Sequence, residues 1–204
     1  MILKTFELEK LELKKNGFYL LYGENQGYKN QIIEKKFKIN YLENIYIYEE
    51  SEIINNKEIL FNNILTKSFF ENEKLIIINR STDKIKDLID EIIEKQIDDL
   101  IIVLNSNTLE KKSKLRSLFE KNARTVCVPF YEDNNQTLQT IVNSFFRANT
   151  IPISQQAINL IVERSRGDRQ NLNNELQKLQ SFMKNKNKIE IKDLLKITNL
   201  AENY

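Results

Sequence analysis

The sequence predicts an α/β domain with a five-stranded parallel sheet, followed by a small all-helical domain. Three observations lead to this prediction. Over the first two thirds of the chain, short apolar runs of strand length alternate with amphipathic helical stripes. The runs are apolar at every position, which is typical of a parallel sheet covered by helices on both faces. After Pro129 the strand-like runs stop and only helical periodicity remains. We therefore assign residues 1–134 to the α/β domain and residues 135–204 to the helical domain.

The five predicted strands are the apolar runs of the first domain: Phe18–Tyr22, Ile45–Tyr48, Leu75–Ile78, Leu100–Leu104 and Thr125–Phe130. Helices are predicted between them. The clearest runs from Ile85 to Ile93, where apolar residues fall at i, i+3, i+4, i+7 and i+8. The others pass through Ile32–Phe37 and Ile59–Leu65, and a basic helix spans Leu109–Asn122.

The second domain is predicted from helical stripes and from helix start and stop signals. Gly167 is suited to end one helix and Asp168 to cap the next. Around this pair the predicted helices cover Leu138–Phe146, Ala157–Ile161, Leu172–Leu179 and Ile191–Ile197.

Composition excludes several classes of site. The 204 residues contain no histidine, which removes Ser-His-Asp and Cys-His catalysis and every His-ligated metal site. The single cysteine, Cys127, lies in an alternating strand-like run, so we expect a buried apolar residue rather than a nucleophile. No apolar run approaches the roughly 20 residues of a membrane span, and the sequence predicts a cytoplasmic protein with no membrane partner.

A loop directly after the first strand resembles a phosphate-binding P-loop. That motif requires G-x-x-x-x-G-K-[ST], with backbone amides around the phosphates and the lysine on the terminal ones. Counted from Gly23, Lys29 occupies the lysine position, but Tyr28 stands at the second glycine and Asn30 at Ser/Thr. Gly27 lies one residue before the glycine position. The sequence predicts a degenerate loop.

The acidic residues that would hold Mg²⁺ in such a domain are also missing. The strand Leu75–Ile78 is followed by Asn79-Arg80, and Leu100–Leu104 is followed by Asn105-Ser106. We expect no catalytic residue, no cofactor and no metal. A genuine P-loop NTPase that uses Lys29 and acts on DNA stays open as the alternative, and a DNA-binding regulator is a third hypothesis.

Three motifs, in this order and spacing, identify a family resemblance. They are Leu21-Tyr22-Gly23-Glu24, then Ser68-Phe69-Phe70 leading into the third strand, then Gly167-Asp168 followed by Asn174–Leu179. The chain resembles the delta subunit of the bacterial DNA polymerase III clamp loader. The resemblance implies an AAA+-type α/β domain followed by a helical lid. The family's C-terminal collar has no counterpart in the 204 residues, so we expect a fragment that is monomeric on its own.

The resemblance also implies a function. Delta subunits do not bind ATP; they bind the ring-shaped β sliding clamp and open it, while the gamma/tau subunits use ATP beside delta prime. In those sister subunits a Gly-Asp-x-Arg motif senses the nucleotide, whereas here Gln170 stands at the Arg position. The matching clamp-binding segment is Lys67, Ser68, Phe69 and Phe70, after Thr66, and Lys67 departs from the apolar residue common in relatives.

A charge patch is the remaining candidate site. Residues 109–124 carry a net charge of +4, whereas residues 84–99 carry −3. Such segregation could place a positive face toward DNA within the assembled complex. The candidate DNA-facing residues are Lys111, Lys112, Lys114 and Arg116. The alternative is an ordinary solvated helix face.

Overall fold

The computed structural model describes residues 1–13, 17–41, 44–65, 73–183 and 191–198. The chain divides into two compact units. The first comprises Met1–Glu24 and Lys29–Tyr131, and the second comprises Asn25–Tyr28 and Glu132–Tyr204. Within the described residues, no helix is long and apolar enough to cross a membrane.

The first unit is built on a five-stranded sheet in which every neighbouring pair is parallel, as predicted. Its order is β2-β3-β4-β1-β5. The strands are β1 (Gly17–Tyr22), β2 (Ile45–Glu49), β3 (Lys74–Asn79), β4 (Leu100–Asn105) and β5 (Thr125–Pro129). In β1, Leu20 lies opposite Leu104 of β4 and Cys127 of β5. The carboxyl ends of β1 and β4 therefore meet at one edge of the sheet.

Helices alternate with these strands. They are α1 (Thr5–Lys10), α2 (Gln26–Ile32), α3 (Glu50–Asn55), α4 (Lys57–Leu65), α5 (Lys86–Glu94) and α6 (Lys114–Lys121). A π-helical turn (Ile33–Phe37) and a 3-10 turn (Lys38–Asn40) extend α2, and another 3-10 turn (Asp83–Ile85) precedes α5.

Both faces of the sheet are buried along β1, β3, β4 and most of β5, whose residues are mainly apolar, whereas the edge strand β2 is only partly buried. On one face Leu20, Ile102 and Cys127 pack in a cluster with Ile89 of α5 and Phe119 of α6. On the other face the fully buried Tyr19 ring meets the Phe37 ring edge-on, with 5.0 Å between centroids. Burial raises the pKa of the Cys127 thiol to about 12, as expected for an unreactive core cysteine.

The predicted start of the basic helix at Leu109 is wrong. The helix α6 begins at Lys114, because the Ser113 hydroxyl caps it by accepting the Arg116 amide at 3.2 Å. Ser113 is held in turn by Asp83, whose Oδ1 accepts the Ser113 hydroxyl at 2.5 Å and the Leu115 amide at 2.9 Å. Lys111 and Lys112 therefore lie in the turn before α6 and not on it.

Among the described residues after Glu132, the regular elements of the second unit are all helices. Its helices are α7 (Asn135–Ala148), α8 (Gln155–Arg164), α9 (Arg169–Met183) and α10 (Ile191–Thr198). Their apolar stripes bury a common core that includes Val142, Ile161 and Leu176. The helix α8 ends at Arg164, before the predicted stop, and Gly167 lies in the following turn in the left-handed region, with φ +77°. As predicted, Asp168 caps α9 by accepting the Asn171 amide at 2.7 Å.

Candidate functional site: a phosphate loop closed on itself

The loop after β1 turns sharply at Gly23. This residue has φ +125°, and a Cβ atom there would lie 2.2 Å from the Phe130 carbonyl oxygen. Only glycine tolerates both that backbone conformation and that approach. The turn directs the Gly23 carbonyl inward, where it meets the side chain of Lys29.

Lys29 is fully buried and its ammonium group is bound by backbone oxygens of the first unit. Nζ donates to the Gly23 carbonyl at 2.8 Å and to the Ser106 carbonyl at 2.5 Å. Burial lowers the pKa of Lys29 to about 8 from its ordinary 10.5. In a working P-loop this ammonium would reach the terminal phosphates. Here it joins the end of β1 to the end of β4.

The positions that would hold Mg²⁺ carry amides that bind one another. At the ends of β3 and β4, Asn105 Nδ2 donates to Asn79 Oδ1 at 3.2 Å. An amide pair of this kind supplies no negative charge to a divalent cation. Among the described residues, no group of three carboxylate or thiol side chains could hold a metal ion. The residues at this site therefore do not fit a Mg²⁺–nucleotide complex.

Residues Asn25–Tyr28, which include the first turn of α2, belong to the second unit. Asn25 Oδ1 accepts the Tyr28 amide at 3.0 Å and so caps the first turn of α2. Asn25 Nδ2 donates to Asp133 Oδ2 at 2.8 Å. A side chain of the protein thus takes an amide that would otherwise be open to a phosphate.

A buried ion pair completes this part of the second unit. Arg169 donates to both carboxylate oxygens of Asp133, at 2.6 and 2.5 Å, and both side chains are less than a tenth exposed. The guanidinium carbon lies 3.7 Å from the centre of the Tyr28 ring. Gly27 permits this packing, because a Cβ atom there would lie 2.5 Å from the Gln170 backbone nitrogen.

Of the other positions predicted from the sequence, Gln170 lies among the described residues and the clamp-binding segment does not. Gln170, at the predicted sensor position, is exposed and donates to Asn174. The clamp-binding candidates Lys67, Ser68, Phe69 and Phe70 lie outside the described residues, and their assignment stays a prediction.

The four candidate DNA-facing residues are not equivalent. Lys112 pairs with Glu110 at 2.8 Å. Arg116 is held by Glu120 at 2.7 Å, by the Leu109 carbonyl at 3.2 Å and by the Tyr22 ring at 5.0 Å. These contacts fix Arg116 against its own unit. A contact between any of the four and DNA stays a prediction.

Sequence analysis missed Asp133, Arg169 and Ser106. Asp133 lies in a polar stretch that we interpreted as a break between domains, and Arg169 is one residue before the sensor position. Their pairing spans 36 residues. Periodicity carries no signal for a contact of this range.

A family model described as DNA polymerase III, delta subunit, matches residues 19–129. Comparison with curated protein sequences finds no match. Among solved structures, the chain is similar to the Bacillus subtilis DNA clamp loader delta protein (YqeN), with a TM-score of 0.57 and 18% identity. The match covers 94% of this chain and 60% of that one.

The chain is also similar to the Thermotoga maritima RuvB Holliday junction branch migration motor, with a TM-score of 0.57 and 13% identity over 89% of this chain and 61% of that one. At these identities the two likenesses show a common fold. They support the predicted AAA+-type architecture. The chain spans about three fifths of the length of both structures.

Replacing Lys29 by Met is expected to lower the free energy of unfolding by about 1–3 kcal/mol at pH 7, because two buried carbonyls would be left without their donor. The folded-state pKa of about 8 lies below the unfolded value of 10.5, so the native state releases this proton first as pH rises. The stabilisation by Lys29 therefore grows from about pH 8 to about pH 10. Over this range the difference in free energy of unfolding between wild type and variant widens.

Urea unfolding of both proteins at about pH 7 and about pH 10 measures this gap. The exposed Lys10→Met variant is the matched control and should follow the wild type at both pH values. A gap that narrows toward the higher pH would contradict the assignment of Lys29 as a buried, destabilised cation.

Replacing Asp133 by Asn should destabilise the protein by about 3–5 kcal/mol, because it leaves the Arg169 guanidinium buried without a counter-charge. Thermal and urea unfolding measure the loss, and the exposed Arg147→Gln is the charge control. In the double variant with Arg169→Gln the loss should be smaller than the sum of the two single losses. Additive losses would show that the two residues act independently.

Proposed function

We propose, from the premise that this chain belongs to the family of DNA polymerase III delta subunits, that it is a clamp-loader subunit that does not itself bind ATP. The observation that carries the proposal is the family match over residues 19–129, more than half of the chain. The closed phosphate loop supports it, because Lys29, Asn25 and Asn105 each bind partners within the protein.

A subunit without nucleotide chemistry must work through binding energy. The proposed action is to bind the β sliding clamp and to stabilise its open form more than its closed form, since a ligand shifts a conformational equilibrium only by its differential affinity. ATP would be used by the partner gamma/tau subunits, with delta prime in the same assembly. This chain would contribute no catalytic residue.

The proposed clamp contact is the segment Lys67, Ser68, Phe69 and Phe70. Support comes from the described residues on its two sides. Lys74, at the start of β3, donates from Nζ to the Asn63 carbonyl of α4 at 2.7 Å, and its Nζ lies 5.8 Å from the centre of the Tyr46 ring. The two flanks of the segment are therefore tied together. Recognition residues are commonly found between flanks that are themselves fixed.

The double variant Phe69→Ala/Phe70→Ala is expected to bind the clamp at least about tenfold more weakly, about 1.4 kcal/mol, because aromatic anchors often carry the largest share of interface energy. Lys67→Ala should cost less, since a rim charge mainly tunes the association rate. Surface plasmon resonance on immobilised clamp measures both.

The matched control is Phe6→Ala, which removes a half-exposed ring elsewhere on the first unit and should leave clamp affinity unchanged. The thermal midpoint is measured beside the affinity. Unchanged affinity in the double variant would remove these residues from the clamp site. A large fall in the midpoint would show that the two rings belong to the core instead.

The alternative function is an atypical ATPase that uses Lys29, and one measurement separates the two. Equilibrium binding of labelled ATP with Mg²⁺ is expected to show a Kd weaker than about 1 mM, because the ammonium would have to leave two carbonyls and amides stand at the strand ends where the metal needs carboxylates. A micromolar Kd that disappears in Lys29→Ala would establish the alternative and overturn the proposal.

A further inference from the structure

The sheet of the first unit has two outer edges, and the described residues cover one of them. At β5 the Cys127 amide donates to the Met1 carbonyl at 2.9 Å, and the Leu3 amide donates to the Cys127 carbonyl at 3.0 Å. The other edge is formed by β2, which pairs with β3 on its inner side. Among the described residues, no segment pairs with its outer side. A further strand can therefore be added beside β2.

The backbone of β2 presents unpaired polar groups along this outer side. The Leu75 amide of β3 donates to the carbonyl of Asn44, the residue just before β2, at 3.0 Å. Successive residues of a strand turn their backbone groups to opposite sides, so Tyr46 continues the ladder with β3. The N–H and C=O groups of Ile45 and Ile47 therefore face outward. Within the part of the chain that the structure describes, none of these four groups forms a hydrogen bond.

The side chains of β2 do not protect its outer edge. Natural edge strands commonly carry lysine, proline or a β-bulge against unwanted pairing. The strand β2 contains neither lysine nor proline, and its register with β3 is unbroken. The rings of Tyr46 and Tyr48 pack against the core cluster on one face of the sheet. On the opposite face Ile47 is 51% exposed, so an added strand would bury apolar surface there.

The geometry of the open edge favours an extended peptide as its ligand. The outward groups of a strand recur about every 6.8 Å, and only another extended backbone matches both donors and acceptors at that spacing. A strand of five residues is only about 17 Å long. It offers far less than the roughly 800 Å² per partner that a stable interface between two folded proteins buries. The edge therefore suits a single segment of a partner protein better than a second copy of this domain.

Charge at the carboxyl end of β2 indicates what the segment carries. The carboxylates of Glu49, Glu50 and Glu52 follow one another here, and Arg80 pairs with Glu49 at 3.2 Å. Glu50 is buried and accepts the Thr82 amide at 2.6 Å, whereas Glu52 is exposed. Three carboxylates beside one guanidinium leave a local excess of negative charge. A lysine or arginine of the added segment is favoured at this end of the strand.

We propose that the outer edge of β2 binds an extended segment of a partner protein as an added antiparallel strand, through the backbone groups of Ile45 and Ile47. The antiparallel direction is chosen because its pairing is the more stable per residue. It places the basic amino end of the segment beside Glu52 and its alternate apolar residues on the same face as Ile47. This site goes beyond the proposed clamp contact and uses none of its residues.

The test uses the full chain and a labelled peptide of about nine residues, in which two lysines precede alternating valine and threonine. Fluorescence anisotropy should show binding of this peptide. Methylation of the valine amide nitrogens should weaken binding at least about tenfold, because these amides would donate to the edge. Methylation of the threonine amides, which would face away, should leave affinity unchanged. Equal binding of the two methylated peptides would overturn the proposal.

Two variants of the protein provide the reciprocal test. Ile47→Pro removes an outward N–H and should abolish peptide binding, because proline is tolerated on an edge strand where its nitrogen faces solvent. Ile47→Thr keeps that N–H and should bind within about threefold of the wild type. The thermal midpoint is measured for both. Undiminished binding by an Ile47→Pro variant that remains folded would refute the site.

Sedimentation and clamp binding separate the remaining outcomes. Self-association of the wild type that Ile47→Pro removes would assign the edge to a second copy and overturn the proposal. A chain that binds the β clamp but not the peptide would refute the β2 site and leave the proposed function standing. Peptide binding without clamp binding would support the β2 site and count against the proposed function.

Discussion

The hydrogen bonds of the Lys29 ammonium group are the interaction on which the loop after β1 depends. One cation binds the carbonyl that follows β1 and the carbonyl that follows β4, and these strands are neighbours in the sheet. Burying a charge is costly unless it is bonded, so Lys29 and its two acceptors must be considered as one group. The residue that would handle phosphate in a P-loop protein has become part of the scaffold.

The same rule accounts for the other changes in the nucleotide motifs. Buried polar groups need partners, and where no ligand provides them the protein must. Asn25 caps the Tyr28 amide, Asn105 bonds Asn79, and Arg169 finds its counter-charge in Asp133. In each unit taken by itself, these polar side chains find their partners within the same unit.

The proposed clamp contact would act through binding energy. Aromatic contacts with a clamp depend on apolar burial and change little with salt.

The fold class, the five parallel strands and the degenerate nucleotide-binding motif could all be predicted from the amino-acid sequence. These are local properties: apolar runs, helical stripes and residue types at fixed spacing. The start of α6 could not be predicted in this way, since Asp83 binds the Ser113 cap from 30 residues away. The tertiary structure alone showed which atoms bind Lys29 and that Asp133 meets Arg169. Each of these depends on contacts between residues distant in the chain, for which local sequence patterns hold no information.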